Sequence, residues 1–351
     1  MKSRRWARSM LLVLFAAVAE INSQPARTQA RPATPAYHLL KKTVLGGEGF
    51  WDYLTCDSEA RRVYISRGTH VMVLDADTYA VLGDIPDTNG VHGIALAPEF
   101  GRGFTSNGRA NTVTIFDLKT LKALGMAKTG EGPDAIVYDP ASHRVFTFNG
   151  HGGNSTAIDA ETGKVAGTID LGGRPEFAVA DGAGHVYANL EDKSEVAAID
   201  SQALSVKAHW PLAPCEEPSG LAIDREHRRL FSGCHNKMMA VIDADSGQVL
   251  ATPPIGEGVD ANAFDPGTGL AFSSNGAGTL TVVHEDSPDK FTVVGNVETQ
   301  RGARTMALDL KTHNVFLVTA EFGPPPPATA EHPRPRPTMK PGTFTLLVFG
   351  P

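Results

Sequence analysis

The sequence repeats with a period of about 42 residues, and this constrains the fold more than any other feature. An aromatic residue inside a short β-type run recurs at intervals of 40 to 44 residues, at Tyr64, Phe104, Phe146, Tyr187, Phe231, Phe272 and Phe316. An aspartate preceded by an apolar residue follows in five of the units, at Asp75, Asp117, Asp159, Asp200 and Asp243. The sixth unit carries His284 and Glu285 there, and the seventh has lost the aspartate. A fixed period of this length is typical of repeat architectures.

Each unit contains four short apolar runs separated by Asp, Pro, Gly and Thr turns, as residues 220–255 show in full. Four short strands per unit predict the blade of a β-propeller. The last unit is one strand short, and residues 37–45 supply a spare strand before the first unit. We therefore predict an all-β, seven-bladed propeller over residues 36–351, with the amino-terminal strand closing the last blade. Six blades, eight blades or an open solenoid do not explain both the missing and the spare strand.

The amino terminus has the pattern of a secretory signal peptide. Four basic residues precede the apolar run MLLVLFAAVA, which ends in small residues. We predict a signal peptide over residues 1–19 and a flexible linker over 20–35; a membrane-anchoring helix is the alternative, although the run is short for a bilayer. No later segment is apolar enough to span a membrane. Cleavage after Ala19 leaves 28 Lys and Arg against 39 Asp and Glu, a net charge of −11. The mature protein is expected in the periplasm or outside the cell.

An acidic surface makes nucleic acid a poor partner, because phosphate binding needs clustered basic side chains. We expect a monomer. The chain has three cysteines, too few for a multi-cysteine zinc site. Cys215 and Cys234 lie in two loops predicted on one face of blade five, so we predict a disulfide between them in an oxidising compartment. Two free cysteines are the alternative, and Cys56 is expected to remain a buried thiol.

One insertion interrupts the period between the second and third strands of blade seven. Residues 323–342 contain eight prolines, which cannot donate to a strand ladder. We predict an extended surface loop. This loop is interpreted either as a mobile surface loop or as a binding loop.

One polar position recurs at the start of the first strand of every blade. Because the first strands line the central channel of a propeller, these residues are expected to converge in a funnel at its mouth. Six of the seven are ionisable: the ring consists of Asp52, His92, Asp134, Glu176, Ser219, Asp260 and Arg304. Of these, Ser219 is the weakest candidate ligand.

The ring predicts a site for a cation or a small polar ligand. Carboxylates suit Ca²⁺ or Mg²⁺, and an imidazole admits Zn²⁺ or Mn²⁺, so the candidate metal ligands are Asp52, His92, Asp134, Glu176 and Asp260. Without a cation, four neighbouring carboxylates raise one another's pKa. The alternative is a water-filled channel with charged walls and an Arg304 ion pair.

Other polar residues recur in the loops between second and third strands, on the same face as the funnel. His70, His151 and His235 are candidate additional ligands, although exposed loop histidines are more often simply solvated. Five asparagines recur there and suggest turns with positive φ: Asn107, Asn149, Asn189, Asn236 and Asn275. No nucleophile elbow, P-loop or H-E-x-x-H zinc motif occurs in the sequence.

The unit SNGRANTVTIFDLKT (106–120) resembles the YVTN-type repeat, and residues 90–98 and 273–283 fit the same pattern. From residue 37 onward the chain resembles YncE-like proteins, which are exported bacterial seven-bladed propellers. That family is mostly described as binding or uncharacterised, so the resemblance implies no catalytic residue.

Two main hypotheses follow for function. The first is an exported, non-enzymatic propeller that binds a small ligand, a cation or a partner protein at its funnel face. The alternative is a metal-dependent hydrolase, lactonase or lyase that uses the same funnel, with a metal-activated water. An accessory protein of a periplasmic redox enzyme is a third alternative. The sequence leaves all three open.

Overall fold

The computed structural model describes residues 36–47, 49–327 and 337–351. Over these residues the chain forms seven four-stranded antiparallel sheets, arranged as the blades of a β-propeller. Apart from the 3-10 turns Pro98–Phe100 and Glu191–Lys193, no helix occurs in the described part of the chain. The described residues also include no helix with the length and apolar character needed to cross a bilayer. The predicted all-β, seven-bladed fold is confirmed.

The 28 strands follow one another regularly from blade to blade. Blade 1 consists of β2 (Leu54–Asp57), β3 (Arg62–Ser66), β4 (Val71–Asp75) and β5 (Val81–Ile85). Blade 2 consists of β6 (Val91–Ala97), β7 (Arg102–Asn107), β8 (Thr112–Asp117) and β9 (Ala123–Lys128). Blade 3 consists of β10 (Pro133–Asp139), β11 (Arg144–Asn149), β12 (Asn154–Asp159) and β13 (Val165–Asp170). Blade 4 consists of β14 (Pro175–Ala180), β15 (His185–Leu190), β16 (Glu195–Asp200) and β17 (Ser205–Pro211). Blade 5 consists of β18 (Pro218–Asp224), β19 (Arg229–Cys234), β20 (Met238–Asp243) and β21 (Val249–Ala251). Blade 6 consists of β22 (Val259–Asp265), β23 (Leu270–Asn275), β24 (Thr279–Ser287) and β25 (Lys290–Glu298).

Blade 7 is assembled from two distant parts of the chain. It consists of β26 (Met306–Asp309), β27 (Asn314–Thr319), β28 (Thr345–Gly350) and β1 (His38–Val44). β1 pairs with β28 in antiparallel register from His38 opposite Gly350 to Val44 opposite Thr345. The predicted closure by the amino-terminal strand is therefore confirmed. It leaves no free edge on β28, where exposed backbone groups would invite pairing with another chain.

The recurring aromatic residues fill the core between blades. All seven lie on the second strand of their blade and are at most 1% exposed. Tyr187, for example, packs with residues of blades 4 and 5, and its hydroxyl donates a hydrogen bond to the Ala244 carbonyl at 2.9 Å. Burial of one large ring per repeat explains why the aromatic position sets the period of the sequence.

The recurring aspartates end the third strands and close the turns that follow. The Asp75 carboxylate accepts hydrogen bonds from the backbone N–H groups of Asp77 and Thr78 and from the Thr78 hydroxyl. These bonds to the charged form lower its pKa. Asp117 makes the same contacts to Lys119 and Thr120. Each aspartate thus specifies a tight turn on the face opposite the funnel.

The predicted disulfide is present, but it joins the loop that enters blade 5 to the end of β19, because Cys234 is the last residue of that strand rather than a loop residue. Cys215 and Cys234 form a bond with their Cα atoms 5.7 Å apart, and both side chains are buried. Cys56, in β2, is a free thiol as predicted, although it is half-buried rather than fully enclosed. Burial nevertheless raises its pKa to about 12.

The proline-rich insertion lies between β27 and β28, as predicted, and its described ends approach each other at a bridge between Phe322 and Met339. Residues 328–336 lie outside the described residues. The predicted signal peptide and linker over residues 1–35 also lie outside them.

Candidate functional site

The first strand of every blade carries its ring residue at or just before its beginning, on one face of the propeller. Register shifts occur at this point in blades 2 to 6, so that one or two residues stand outside the regular ladder. The residues in these irregular stretches include His92, Asp134, Glu176, Ser219 and Asp260. A β-bulge re-aims a side chain, and four of these five residues, all except Ser219, take part in the central network described below.

Serines on the second strands hold the backbone of the ring in place. The Ser66 hydroxyl accepts hydrogen bonds from the N–H groups of Asp52 and Tyr53 at 3.1 and 3.0 Å. Ser106 donates to the Asp134 carbonyl, and Ser274 donates to the Arg304 carbonyl. Ser66 thus acts within blade 1, whereas Ser106 and Ser274 link neighbouring blades at the level of the ring. Sequence reasoning missed them, although a small polar residue inside an apolar second strand is a visible signal.

Six of the seven predicted ring residues form one electrostatic network. His92 lies between two carboxylates, with its Nδ1 2.5 Å from Asp52 Oδ2 and 3.4 Å from Asp134 Oδ1. Arg304 also lies between two carboxylates, donating to Asp260 Oδ1 at 2.7 Å and to Asp52 Oδ1 at 3.3 Å. Glu176 completes the set, close enough to Asp134 for their charges to interact. Asp52 therefore connects the imidazole and the guanidinium.

Ser219 stands apart from this network. It is only 2% exposed, and its hydroxyl donates a weak hydrogen bond of 3.4 Å to the Asp260 carbonyl. It does not line the cavity that the other residues surround. The structure thus places it in the wall of the funnel, which agrees with its expected weakness as a ligand.

The network surrounds a cavity of about 160 Å³. Its polar walls come from Asp52, Asp134, Glu176, Asp260 and Arg304. Two aromatic rings complete it: Tyr53 of blade 1 stacks on Phe177 of blade 4 with ring centroids 5.1 Å apart. Since these blades lie on opposite sides of the ring, the contact spans the channel. A wider recess of about 430 Å³ shares Asp134 and Glu176 and adds Arg109, Arg174 and His151.

Burial and crowding shift the protonation of the ring. Burial and the neighbouring carboxylates raise the pKa of Glu176 to about 9. Burial also raises the pKa of Asp134 to about 7, although the charge of His92 opposes the shift. Burial disfavours the imidazolium of His92, but its bond to Asp52 and the nearby negative charges raise its pKa to about 9. Two acids that hold protons near neutrality indicate a site with more negative charge than its own cations neutralise.

We expect the thermal stability of the protein to fall between pH 6 and pH 9. The pKa values of Glu176, Asp134 and His92 all lie above their values of 4.5, 3.8 and 6.5 in an unfolded chain. The folded state therefore binds more protons in this range, and the free energy of unfolding decreases as pH rises through 7 to 9. Replacing Glu176 by Gln should flatten the profile measured by differential scanning calorimetry. The control variant Glu161→Gln, at an exposed position, should keep the wild-type dependence of melting temperature on pH. If Glu176→Gln showed the same dependence as wild type, the expectation would be contradicted.

The other loop candidates are distributed around this face. His151 borders the wider recess, whereas His70 lies 3.8 Å from Asp84 and His235 3.2 Å from Glu217. The structure does not bring these last two into the ring network. None of the five recurring asparagines has a positive φ. The prediction that they recur because their turns need a positive φ is therefore wrong. The five are Asn107, Asn149, Asn189, Asn236 and Asn275.

Four of these asparagines instead lie at the end of a second strand or, for Asn189, one residue before it, and they are at most 1% exposed. Asn149, for example, donates to the Thr156 hydroxyl at 3.0 Å, and Asn189 donates to the Ser219 carbonyl at 2.6 Å. They are structural residues, as expected, because their amides satisfy buried polar groups within and between blades.

Comparison with known proteins identifies the fold and no closer relationship. No protein-family model matches the sequence, and no curated protein does. Among solved structures, the chain is similar to hydrazine synthase of Kuenenia stuttgartiensis, with 15% identity, a TM-score of 0.66 and coverage of 76% of this chain and 91% of that one.

Two further similar structures are U3-55K and the WD40 repeats of RRP9. The first has 9% identity, a TM-score of 0.71 and coverage of 89% and 98%. The second has 8% identity, a TM-score of 0.69 and coverage of 89% and 97%. At these identities the likeness shows that the chain shares the propeller fold, and a shared fold alone does not assign a function.

Proposed function

We propose that the protein is an exported, non-enzymatic propeller that binds a small cationic ligand in its funnel, with a divalent metal ion as the simplest such ligand. The observation that carries the proposal is the cluster of Asp52, His92 and Asp134. One ligand atom of each lies within 4.8 Å of the other two, and the side chains are only 16 to 28% exposed. Three donors at this separation suit a single ion.

The charge of the cavity supports the same proposal. Arg304 neutralises Asp260 and part of Asp52, which leaves His92 as the remaining cation close to Asp134. Oδ1 of Asp134 is buried and accepts no hydrogen bond. A bound cation would satisfy this oxygen and displace the protons that its ligands Asp134 and His92 hold. Binding should therefore strengthen as pH rises from 6 to 8.

Export and family membership belong to the same proposal. The disulfide between Cys215 and Cys234 fits an oxidising compartment, and the amino-terminal pattern fits a cleaved signal peptide. We propose a periplasmic or secreted monomer of the YncE-like, YVTN-repeat type. Mass spectrometry of the protein purified from an exporting host tests the first part, because the mature chain should begin at or near residue 20.

The central test is the effect of cations on the melting temperature. After dialysis against EDTA, wild type should melt higher when Ca²⁺, Mg²⁺, Mn²⁺ or Zn²⁺ is added, since a ligand of the folded state stabilises it by mass action. At one hundred times the dissociation constant the gain is about 2.7 kcal/mol. Asp134→Asn should abolish the gain, and Glu161→Gln, which removes one exposed negative charge elsewhere, should retain it.

A contrary result is equally clear. If no cation raises the melting temperature of wild type, and Asp134→Asn and Glu176→Gln melt no lower than wild type, the ring is a charged channel wall. The proposal then reduces to a partner protein bound at the funnel face.

A metal-dependent hydrolase, lactonase or lyase is the second candidate, and the protonation of Glu176 favours it. A carboxylic acid with a pKa of about 9 beside a three-donor metal cluster is placed to donate a proton to a leaving group. Hydrolysis of lactone and ester substrates by the metal-loaded protein, lost in Glu176→Gln with metal uptake intact, would favour the enzyme. Unchanged hydrolysis in Glu176→Gln would exclude this role for the residue.

A further inference from the structure

A second cluster of acid and imidazole groups lies on the face of the propeller opposite the funnel, between blades 5 and 6. Asp224 ends the first strand of blade 5, His227 lies in the turn that follows, and Glu285 lies near the end of β24 in blade 6. His227 Nδ1 is 2.7 Å from Asp224 Oδ2 and 3.1 Å from Glu285 Oε1. The two carboxylate side chains are each only 3% exposed, whereas the His227 side chain is 43% exposed.

The neighbouring blades show what this position normally contains. The aspartate that ends a first strand, or directly follows it in the case of Asp181, receives a donor from the next blade at four other junctions. Asp139 accepts from Ser201 at 2.6 Å, Asp181 pairs with Arg228 at 2.7 Å, Asp265 lies 2.7 Å from His313 Nδ1, and Asp309 pairs with Arg61 at 2.7 Å. At the blade 5 to blade 6 junction Asp224 instead faces the carboxylate of Glu285. A cation or a proton must replace the missing donor.

Glu285 is itself an exception within the repeat. The residue after the end of the third strand is a buried alanine in three other blades, Ala76, Ala160 and Ala244. Ser201 occupies the position in blade 4. In Glu285 both carboxylate oxygens are buried and accept no hydrogen bond. The guanidinium of Arg229, whose charge acts on Glu285, donates instead to Asp243 at 2.7 Å and to the Pro288 carbonyl at 2.7 Å.

We infer that Asp224, His227 and Glu285 form a second metal site, which takes a divalent transition-metal ion of the Zn²⁺ type. The three ligand atoms lie within 4.8 Å of one another, and tetrahedral Zn²⁺ binds imidazole nitrogen and carboxylate oxygen at about 2.0 to 2.2 Å. An imidazole ligand favours such an ion over Ca²⁺ or Mg²⁺. The exposed side of His227 leaves a path from solvent and room for a water as the fourth ligand.

The charge of the cluster agrees with this inference. Burial and the charge of Asp224 raise the pKa of Glu285 to about 7. The buried pair therefore holds a proton near neutrality when no metal is bound, and an ion that enters must displace it. The site would join blades 5 and 6 on the face opposite the funnel. It would bind its ion independently of the funnel.

Glu285→Ala is the matched variant, because it restores the residue that three other blades carry and should fold normally. The full chain, dialysed against EDTA and then against Zn²⁺ at pH 7.5, should hold one fewer equivalent of Zn²⁺ by atomic emission in Glu285→Ala than in wild type. The funnel variant Asp134→Asn should retain this equivalent, and the double variant should lack it. Crystals soaked in Zn²⁺ should show an anomalous scattering peak between Asp224, His227 and Glu285.

Two results would overturn the inference. One is equal Zn²⁺ content in wild type and Glu285→Ala, with no anomalous peak at the cluster. The other is a peak that persists in the variant. Without Zn²⁺, Glu285→Ala should melt no lower than wild type, so that a loss of metal cannot be attributed to unfolding. Because each site has its own variant, failure here leaves the test of the funnel unaffected.

Discussion

Deletion of residues 36–46 is expected to lower the melting temperature by about 10 °C. The deletion removes β1, whose ladder with β28 covers six residue pairs. At a net value of about 1 kcal/mol per hydrogen bond, the lost ladder is worth several kcal/mol, which corresponds to roughly this shift for a domain of over 300 residues. It also removes Tyr37, whose hydroxyl donates to the His313 carbonyl at 2.7 Å and whose ring contacts Phe272 at 4.9 Å. Calorimetry of chains that begin at residue 36 and at residue 47 measures the effect.

Two controls separate strand pairing from simple loss of residues. Tyr37→Phe removes only the hydroxyl and should cost about 1 kcal/mol. Adding residues 36–46 back as a synthetic peptide should restore part of the stability, because β28 then regains its partner. An unchanged melting temperature after the deletion would show that β1 does not contribute to the stability of blade 7.

Removal of the disulfide is the second change with a large expected effect. The double variant Cys215→Ala/Cys234→Ala should lose about 3 kcal/mol, since the bond closes a loop of about twenty residues in the unfolded chain. The corresponding decrease in melting temperature is about 5 °C. Denaturant unfolding of the double variant and of reduced wild type measures the loss.

Thiol chemistry provides the control for this prediction. Under denaturing, non-reducing conditions wild type should titrate as one free thiol per chain, that of Cys56, and after reduction as three. Cys56→Ser leaves the disulfide intact and should affect stability less than the double variant. Three free thiols before reduction would contradict the bond.

The periodic parts of the fold could be predicted from the sequence because each depends on a local rule. Buried rings at Tyr64 and Phe104 mark second strands, and Asp75 and Asp117 mark the turns, so the blade count followed from the period. The closure of blade 7 followed from counting strands. The same count placed the ring residues at the channel mouth.

The internal organisation of the ring could not be predicted in the same way. A position in a strand does not reveal that His92 joins Asp52 to Asp134, since the directions of His92 and Asp134 depend on the irregularities at the first strands of blades 2 and 3. It also does not reveal that Tyr53 and Phe177 meet across the channel. Glu285 did have a visible signal in the sequence, namely an acidic residue where three other repeats have alanine. Its partner Asp224 belongs to another repeat, so only the three-dimensional structure shows that the two residues are neighbours.

The pairing of β1 with β28 also affects how the protein is made. His38 and Gly350 are opposite each other in the ladder although 312 positions separate them, so β1 leaves the ribosome first and waits for its partner while six blades are synthesised. During that interval its backbone groups are open to other chains. Lys41 and Lys42 within this exposed strand carry the charges that discourage such contacts. We therefore expect these lysines to matter before the ring exists, by keeping the first strand available for the last.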